Sequence, residues 1–420
     1  MDAAHALEPL IRRLLGPDLP VRFRFWDGSS LGPDGAPATV VVRSNRALRR
    51  LVTAPGELGL GRAYVAGELD LEGELEPVLA LGDHRPDLRP GPGGWARAVR
   101  GLAAVGALRP GRLPPPPEEA RLRGRRHTRS RDAAAISYHY DVSNDFYRLV
   151  LGPTLTYSCA YFSAPEATLE QAQTDKHEII CRKLRLRPGE RLLDVGCGWG
   201  TLAIHAAVHH DVVVVGVTLS RRQAELASKR VAEAGVADRV TIRVQDERDV
   251  DDGPYDAVSS VGMFEHVGAE RLGRYFSHIH DLLRPGGRLL NHGIARPPGK
   301  GVRSRRRGFI DRYVFPDGEL HELGTVASVT QRAGLEVRDV ESLREHYALT
   351  LRRWVANLEA NREEAVKLVG EGRYRVWRLY MAASARRFEA GQIEVHQVLA
   401  VRPAGGRSGL PLRRADIVIP

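Results

Sequence analysis

The chain has 420 residues, carries 62 Lys and Arg against 52 Asp and Glu for a formal net charge of +10, and has only 3 cysteines. That length exceeds one ordinary core and predicts two domains. An odd cysteine count with neither C-x-x-C nor Cys/His metal spacing excludes a disulfide framework and a zinc motif, and fits a reducing compartment.

The opening "MDAAHALEPLIRRLLGPDLP" lacks the apolar core of a signal peptide. No later run approaches the roughly eighteen apolar residues of a membrane span, so the expected location is cytoplasmic. Residues 1–108 read as a small α+β module: "VRFRFWDG" and "ATVVVRS" alternate as strands do, and "SNRALRRLVTA" has the Ser or Asn start of a capped helix. Residues 109–132 are a Pro- and Arg-rich linker, a composition that builds no core. Within it "RLRGRRHTRSR" (121–131) holds six arginines, and "RSRRR" (303–307) adds four, in a chain with five lysines. Such runs suit an anionic bilayer surface, at about 1 kcal/mol per basic residue. No RNA-binding or helix-turn-helix pattern accompanies them, so nucleic acid is not an expected partner.

From 133 to 402 strand and helix signals alternate, followed by a tail over 403–420. The expected strands are "RLLDVG" (191–196), "VVVVGVTLS" (212–220), "VTIRVQD" (240–246), "YDAVSSVG" (255–262) and "GRLLNHGI" (287–294). Helical stretches at 200–210, 221–234 and 268–283 separate them. Continuously apolar strands between helices predict a parallel sheet covered on both faces, a Rossmann-like doubly wound α/β domain.

"LLDVGCGWG" (192–200) joins the first of these strands to a helix. It meets neither the P-loop nor the G-x-G-x-x-G pattern. Asp194, Gly196, Gly198 and Gly200 give D-x-G-x-G-x-G instead, the S-adenosylmethionine loop of class I methyltransferases, with Cys197 and Trp199 between the glycines. The glycines let backbone approach the methionine part, and a carboxylate suits its ammonium group. No acid ends the second strand to hold a ribose; Thr218 and Gln223 are the polar residues there.

Seven stretches then occur in one order: "YHYDVSNDFY" (138–147), "TYSCAYF" (156–162), the glycine loop, "GVTLSRRQ", "VGMFEHVG" (261–268), "FIDRYVFPDGEL" (309–320) and "HYALTLRRW" (346–354). Over roughly residues 133–400 the chain resembles the cyclopropane-fatty-acyl-phospholipid synthase family, which includes the mycolic acid cyclopropane synthases. The N-terminal module is similar to that of longer bacterial members. The resemblance implies methyl transfer from S-adenosylmethionine to a cis double bond in phospholipid acyl chains. The resulting carbocation then closes to a cyclopropane with the help of bound bicarbonate. It implies a bicarbonate site of Cys159, Glu265, His292, the backbone of Ile294 and Tyr347. Tyr157 and Ser158 match the cofactor-contacting pair, and Thr218, Leu219 and Gln223 the adenosine side, with Asp246 beyond the next strand. Glu247 stands where relatives often have an aromatic, and Ser384 where they often have a Cys. Alternation past the strand favours Glu265 over His266 for the site, and Cys181 and Cys197 read as packing residues.

On this reading the N-terminal module has a lipid-docking or dimerisation role, the latter giving a homodimer, and "PPGKGVRSRRRGF" is expected to lid the acyl channel. A rival outcome uses the same residues: the cation loses its proton elsewhere, and a partner reductase saturates the resulting methylene branch. A methyltransferase for another small molecule would need the glycine loop but not the five bicarbonate-site residues together.

Overall fold

A computed structural model describes residues 2–83, 92–140, 142–299 and 308–418. The basic run 303–307, and with it most of the expected lid, lies outside the described residues. The chain divides into two compact units. The first holds the described residues of Met1–Ala120, Ser304–Val314 and Val369–Arg386, and the second those of Arg121–Arg303, Phe315–Leu368 and Arg387–Pro420.

The first unit is built on a four-stranded sheet in the order β2-β1-β3-β4, with β1 at Arg22–Phe25, β2 at Ser30–Leu31, β3 at Ala38–Val42 and β4 at Leu69–Gly73. β1 and β3 are parallel; the other pairings are antiparallel. Leu7, Val21, Phe25, Val40, Val42 and Tyr64 fill its core. The unit extends past the boundary at 108 expected from composition. Arg50 donates from Nη1 to the Pro114 carbonyl at 2.9 Å, and Arg62 forks onto Glu119 at 2.7 and 2.8 Å. Charged hydrogen bonds of this fork type order a segment that has no apolar face of its own. Later in the chain, the helix Arg362–Glu389 is interrupted at Gly370 (φ 81°), and Arg375 beyond the break pairs with Asp70 at 3.0 Å.

Half of the arginine run is spent on local pairing. Arg126 and Arg131 hold Asp317, and Arg129 holds Asp249, while Arg121, Arg123 and Arg125 are exposed.

The second unit carries a seven-stranded sheet, β10-β11-β9-β8-β5-β6-β7. Its parallel strands are β5 (Arg191–Val195), β6 (Val213–Thr218), β7 (Val240–Val244), β8 (Tyr255–Val261) and β9 (Leu283–Ala295). Each lies where the apolar runs predicted it. The intervening helices Thr201–His210, Arg221–Glu233 and Leu272–Leu282 cover both faces. One core contains Leu192, Val214, Ala203 and Val231, and the other Leu193, Val215, Phe276 and Ile279. Successive residues of β5 and β6 therefore feed opposite cores, and each buried Val or Leu contributes about 1.5–3 kcal/mol. Two further strands were not expected: β11 (Glu394–Val401) adds antiparallel to β9, and β10 (Glu336–Ser342) adds antiparallel to β11. β10 is an edge strand, "EVRDVES", whose polar residues hid it from a search for apolar runs.

Candidate active site

The C-terminal ends of β5, β6 and β8 open onto a cavity of about 930 Å³ within the second unit, the usual ligand position in an open α/β sheet. The glycine loop forms one wall. Gly196, Gly198 and Gly200 have φ of 77°, 56° and 76°, backbone that glycine adopts without strain. Asp194, Gly196, Cys197, Gly198 and Trp199 line the cavity with Tyr157, Ser158, Thr218, Leu219, Gln223 and Glu247. Gly200 starts the following helix, outside the lining. Thr218 Oγ1 donates to Gln223 Oε1 at 2.8 Å, which fixes both side chains beneath the cavity floor.

Electrostatics in this cavity are set by burial. Asp194 is held by Ser259 Oγ at 2.7 Å, and burial raises its pKa to about 6. Lys176, which sequence reasoning did not single out, also lines the cavity. Burial lowers it to about 7, and it donates to Ser158 Oγ at 2.9 Å. Tyr157 in this lining is backed by a cluster of aromatics, 5.3 Å from Trp354, 5.5 Å from His139 and 5.8 Å from Tyr147 between ring centroids.

One expected cofactor residue lies off this lining. Asp246 does not line the cavity; its carboxylate turns to Arg248, which donates from both the backbone N (3.0 Å) and Nε (2.7 Å). Its neighbour Glu247 does line it, raised to about 7 chiefly by burial. His266 lines this cavity while Glu265 turns to Ile294 N, so the two side chains part as expected. They do so from a 3-10 turn, Phe264–His266, and not from a continued strand.

The five residues matched to a bicarbonate site lie outside this lining, and the backbone draws them together behind it. Ile294 N donates to Glu265 Oε1 at 2.7 Å. His292 precedes Ile294 by two on β9 and so shares its face. Across the ladder Ile294 pairs with Val395, whose carbonyl accepts from Leu343 N at 2.9 Å. The Leu343 carbonyl in turn accepts from Tyr347 N at 3.0 Å and from Cys159 Sγ at 3.6 Å.

These groups are dry: Cys159, Glu265, His292 and Tyr347 are all buried. Burial raises Glu265 to about 7, pushes His292 well below its usual range and raises the Cys159 thiol far above its own. Glu265 Oε2 and His292 Nε2 are buried without a hydrogen-bond partner among the described residues. Two such atoms are costly unless a polar ligand meets them, at about 1–3 kcal/mol each. The set fits a small oxyanion: imidazole and thiol donate, and a carboxylate accepts from the anion's own O–H.

A second layer fixes His292. Gln397, opposite it in the β9–β11 register, places Nε2 3.2 Å from His292 Nδ1, and its Oε1 accepts from the buried Lys183 Nζ at 2.7 Å.

Comparison with known proteins agrees with this geometry. Residues 127–398 match the family model for mycolic acid cyclopropane synthetase. A probable fatty acid methyltransferase of Mycobacterium tuberculosis is 46% identical over 407 residues, covering 94% of both chains. The tuberculostearic acid methyltransferase of the same organism is 34% identical over 411 residues, covering 95% of this chain and 92% of its own. Among solved structures, a mycolic acid cyclopropane synthase complexed with SAH and CTAB superposes with a TM-score of 0.61 at 38% identity, over 64% of this chain and 98% of that one. The chain belongs to the mycolic acid cyclopropane synthetase family, and is an S-adenosylmethionine-dependent methyltransferase of the class I fold.

Proposed function

We propose that this enzyme methylates the cis double bond of unsaturated acyl chains in membrane phospholipid and closes the product to a cyclopropane. The observation that carries this reading is the pair of buried atoms, Glu265 Oε2 and His292 Nε2, that lack a hydrogen-bond partner among the described residues. When bound, S-adenosylmethionine supplies an electrophilic methyl, and bicarbonate supplies a small base inside an apolar wall.

The chain's own residues do the rest. Asp194 and Ser158 bracket the cofactor cavity, with Lys176 between them in charge. An alkene is a weak nucleophile, so holding it in line with the methyl is most of the catalysis. The ring of Tyr147, Tyr157 and Trp354 excludes water and offers π faces to a developing cation. Glu265 and His292 would hold bicarbonate, with the Ile294 backbone pinning the carboxylate. Cys159 remains a thiol and serves as a hydrogen-bonding wall, since burial disfavours the thiolate a nucleophile would need.

Likeness to the tuberculostearic acid methyltransferase supports a second reading, in which the proton leaves from a different carbon and a partner reductase saturates the methylene branch. Arg121, Arg123 and Arg125 are the exposed cations that would meet an anionic bilayer. Among the described residues no helix is long and apolar enough to cross a membrane.

The test is an assay on dioleoyl-phosphatidylglycerol vesicles with S-adenosylmethionine and bicarbonate, with chain products read by gas chromatography and mass spectrometry. A ring product, lost in Glu265→Gln, supports the first reading. A methylene product moves the enzyme to the second. No modified chain with any lipid refutes both.

A further inference from the structure

Behind the cofactor cavity, two helices bring together side chains that neither the glycine loop nor the bicarbonate-site residues involve. The helix Leu169–Lys183 carries Glu178 and Cys181, three residues apart and so on one face. The helix Thr201–His210 carries His205 and, at its last position, His210. One donor atom from each of Cys181, His205 and His210 lies within 4.8 Å of the others. Glu178 Oε2 stands 3.1 Å from His205 Nε2 and 3.0 Å from His210 Nε2, while its other oxygen accepts from Arg182 at 2.6 Å. Cys181 is fully buried, and the two imidazoles keep only 10% and 17% of their side-chain surface.

We infer that Cys181, His205 and His210, completed by Glu178, form a binding site for one divalent ion of the zinc class. Hydrogen bonding explains why both imidazoles turn to one carboxylate oxygen, but not why a thiol shares the cluster. Donors bound at about 2.0–2.1 Å (N, O) and about 2.3 Å (S) in a tetrahedron lie roughly 3.3–3.6 Å apart. The Glu178–imidazole contacts already approach that separation, and the Cys181, His205 and His210 donors, within 4.8 Å of one another, would be drawn in on binding. Thiolate with imidazole selects zinc or its neighbours over magnesium and calcium. Four protein donors would leave no open position, so the site is structural. No linear motif announces it, because the ligands pair as E-x-x-C on one helix and H-x-x-x-x-H on another.

Its position gives it a consequence. His177, beside Glu178, lines the cofactor cavity, and the second helix starts at Gly200 of the glycine loop. An ion would clamp the helix that bears Lys176 to the one that opens the cofactor loop.

The experiment uses full-length protein stripped with a chelator and titrated with Co²⁺, then Zn²⁺. Expected are one equivalent of Co²⁺ with a thiolate charge-transfer band, its displacement by Zn²⁺, and a rise in Tm with Zn²⁺. His210→Gln, at a partly exposed helix end, should weaken binding by at least ~10- to 100-fold, the scale of losing a metal-site partner. Cys181→Ser should abolish the charge-transfer band; circular dichroism checks that each variant is folded, and His210→Gln carries the test if Cys181→Ser is not. Substoichiometric binding by the wild type, a cobalt spectrum without the thiolate band, or equal affinity in His210→Gln would overturn the assignment.

Discussion

Exchanging Gln397 for Glu is expected to reverse the hydrogen-bond polarity at His292 while keeping the volume it fills. Lys183 Nζ has only protons to give, so its 2.7 Å contact turns Gln397 Oε1 toward it and leaves Nε2 as the donor to His292 Nδ1. The buried ring is neutral, so its one proton sits on Nε2, the buried atom left without a partner among the described residues and proposed to meet bicarbonate. A Glu at 397 accepts on both sides. The neutral ring must then carry its proton on Nδ1 and present a lone pair to the anion. Losing a hydrogen bond to a charged group costs about 1.5–3 kcal/mol. At about 1.36 kcal/mol per tenfold, kcat/KM should fall ~10- to 150-fold at pH 8. Protonating the ring restores the Nε2 donor, so the loss should shrink as pH falls. Gln397→Met removes the lock without imposing the wrong tautomer and should cost less. Nitrogen-15 NMR of labelled histidine reads the tautomer directly. A wild-type ring protonated on Nδ1, or a Gln397→Glu enzyme within ~2-fold of wild type, would refute the reasoning.

Glu265→Gln should remove activity yet stabilise the protein at alkaline pH. Its folded pKa is raised from 4.5 to about 7, so the stability this group contributes is fully present below 4.5 and is lost as pH rises through 7. The variant should therefore gain up to about 3 kcal/mol at pH 8 and nothing at pH 4.5, measured by urea unfolding at both. Asp194→Asn should weaken S-adenosylmethionine binding by ~10- to 100-fold in calorimetry, the loss of one charged hydrogen bond, with the fold unchanged by circular dichroism. Gly293→Ala places a methyl 1.8 Å from Phe264 Cε1, inside the ring's own volume. Phe264 must move and carry Glu265 with it, so activity should drop ~10-fold or more with a loss of about 1–3 kcal/mol in stability, read by assay and denaturation together.

The sheet was legible because its central strands are buried on both faces and therefore read as unbroken apolar runs. β10 was not, because an edge strand buries little. The glycine loop was legible from glycines whose positive φ the turn requires, and Glu265, His292 and Tyr347 only through resemblance, since each could pack as ordinary core. That Asp246 turns to Arg248, two residues on, is invisible to a reading of strand ends. Glu265 and His266 part as expected, though from a 3-10 turn and not from extended backbone.

Three buried polar residues that escaped sequence reasoning share one cause. Gln173, Lys176 and Lys183 lie at i, i+3 and i+10 along the helix Leu169–Lys183, a single stripe. All three are polar, and all three are buried. An amphipathic reading assigns such residues to the solvent side, yet here the stripe faces inward, and every member has a partner near the two sites. Gln173 Nε2 donates to the Ser158 carbonyl at 3.0 Å, Lys176 to Ser158 Oγ, and Lys183 to Gln397 behind His292. Two buried ammonium groups are expensive to hold in an apolar core and contribute little net stability even when paired. Their presence on one rigid helix is better explained by alignment. The helix fixes the Tyr157–Ser158 segment against the cofactor cavity and, through Gln397, the tautomer of His292, so the cofactor cavity and the proposed bicarbonate site are indexed to the same element.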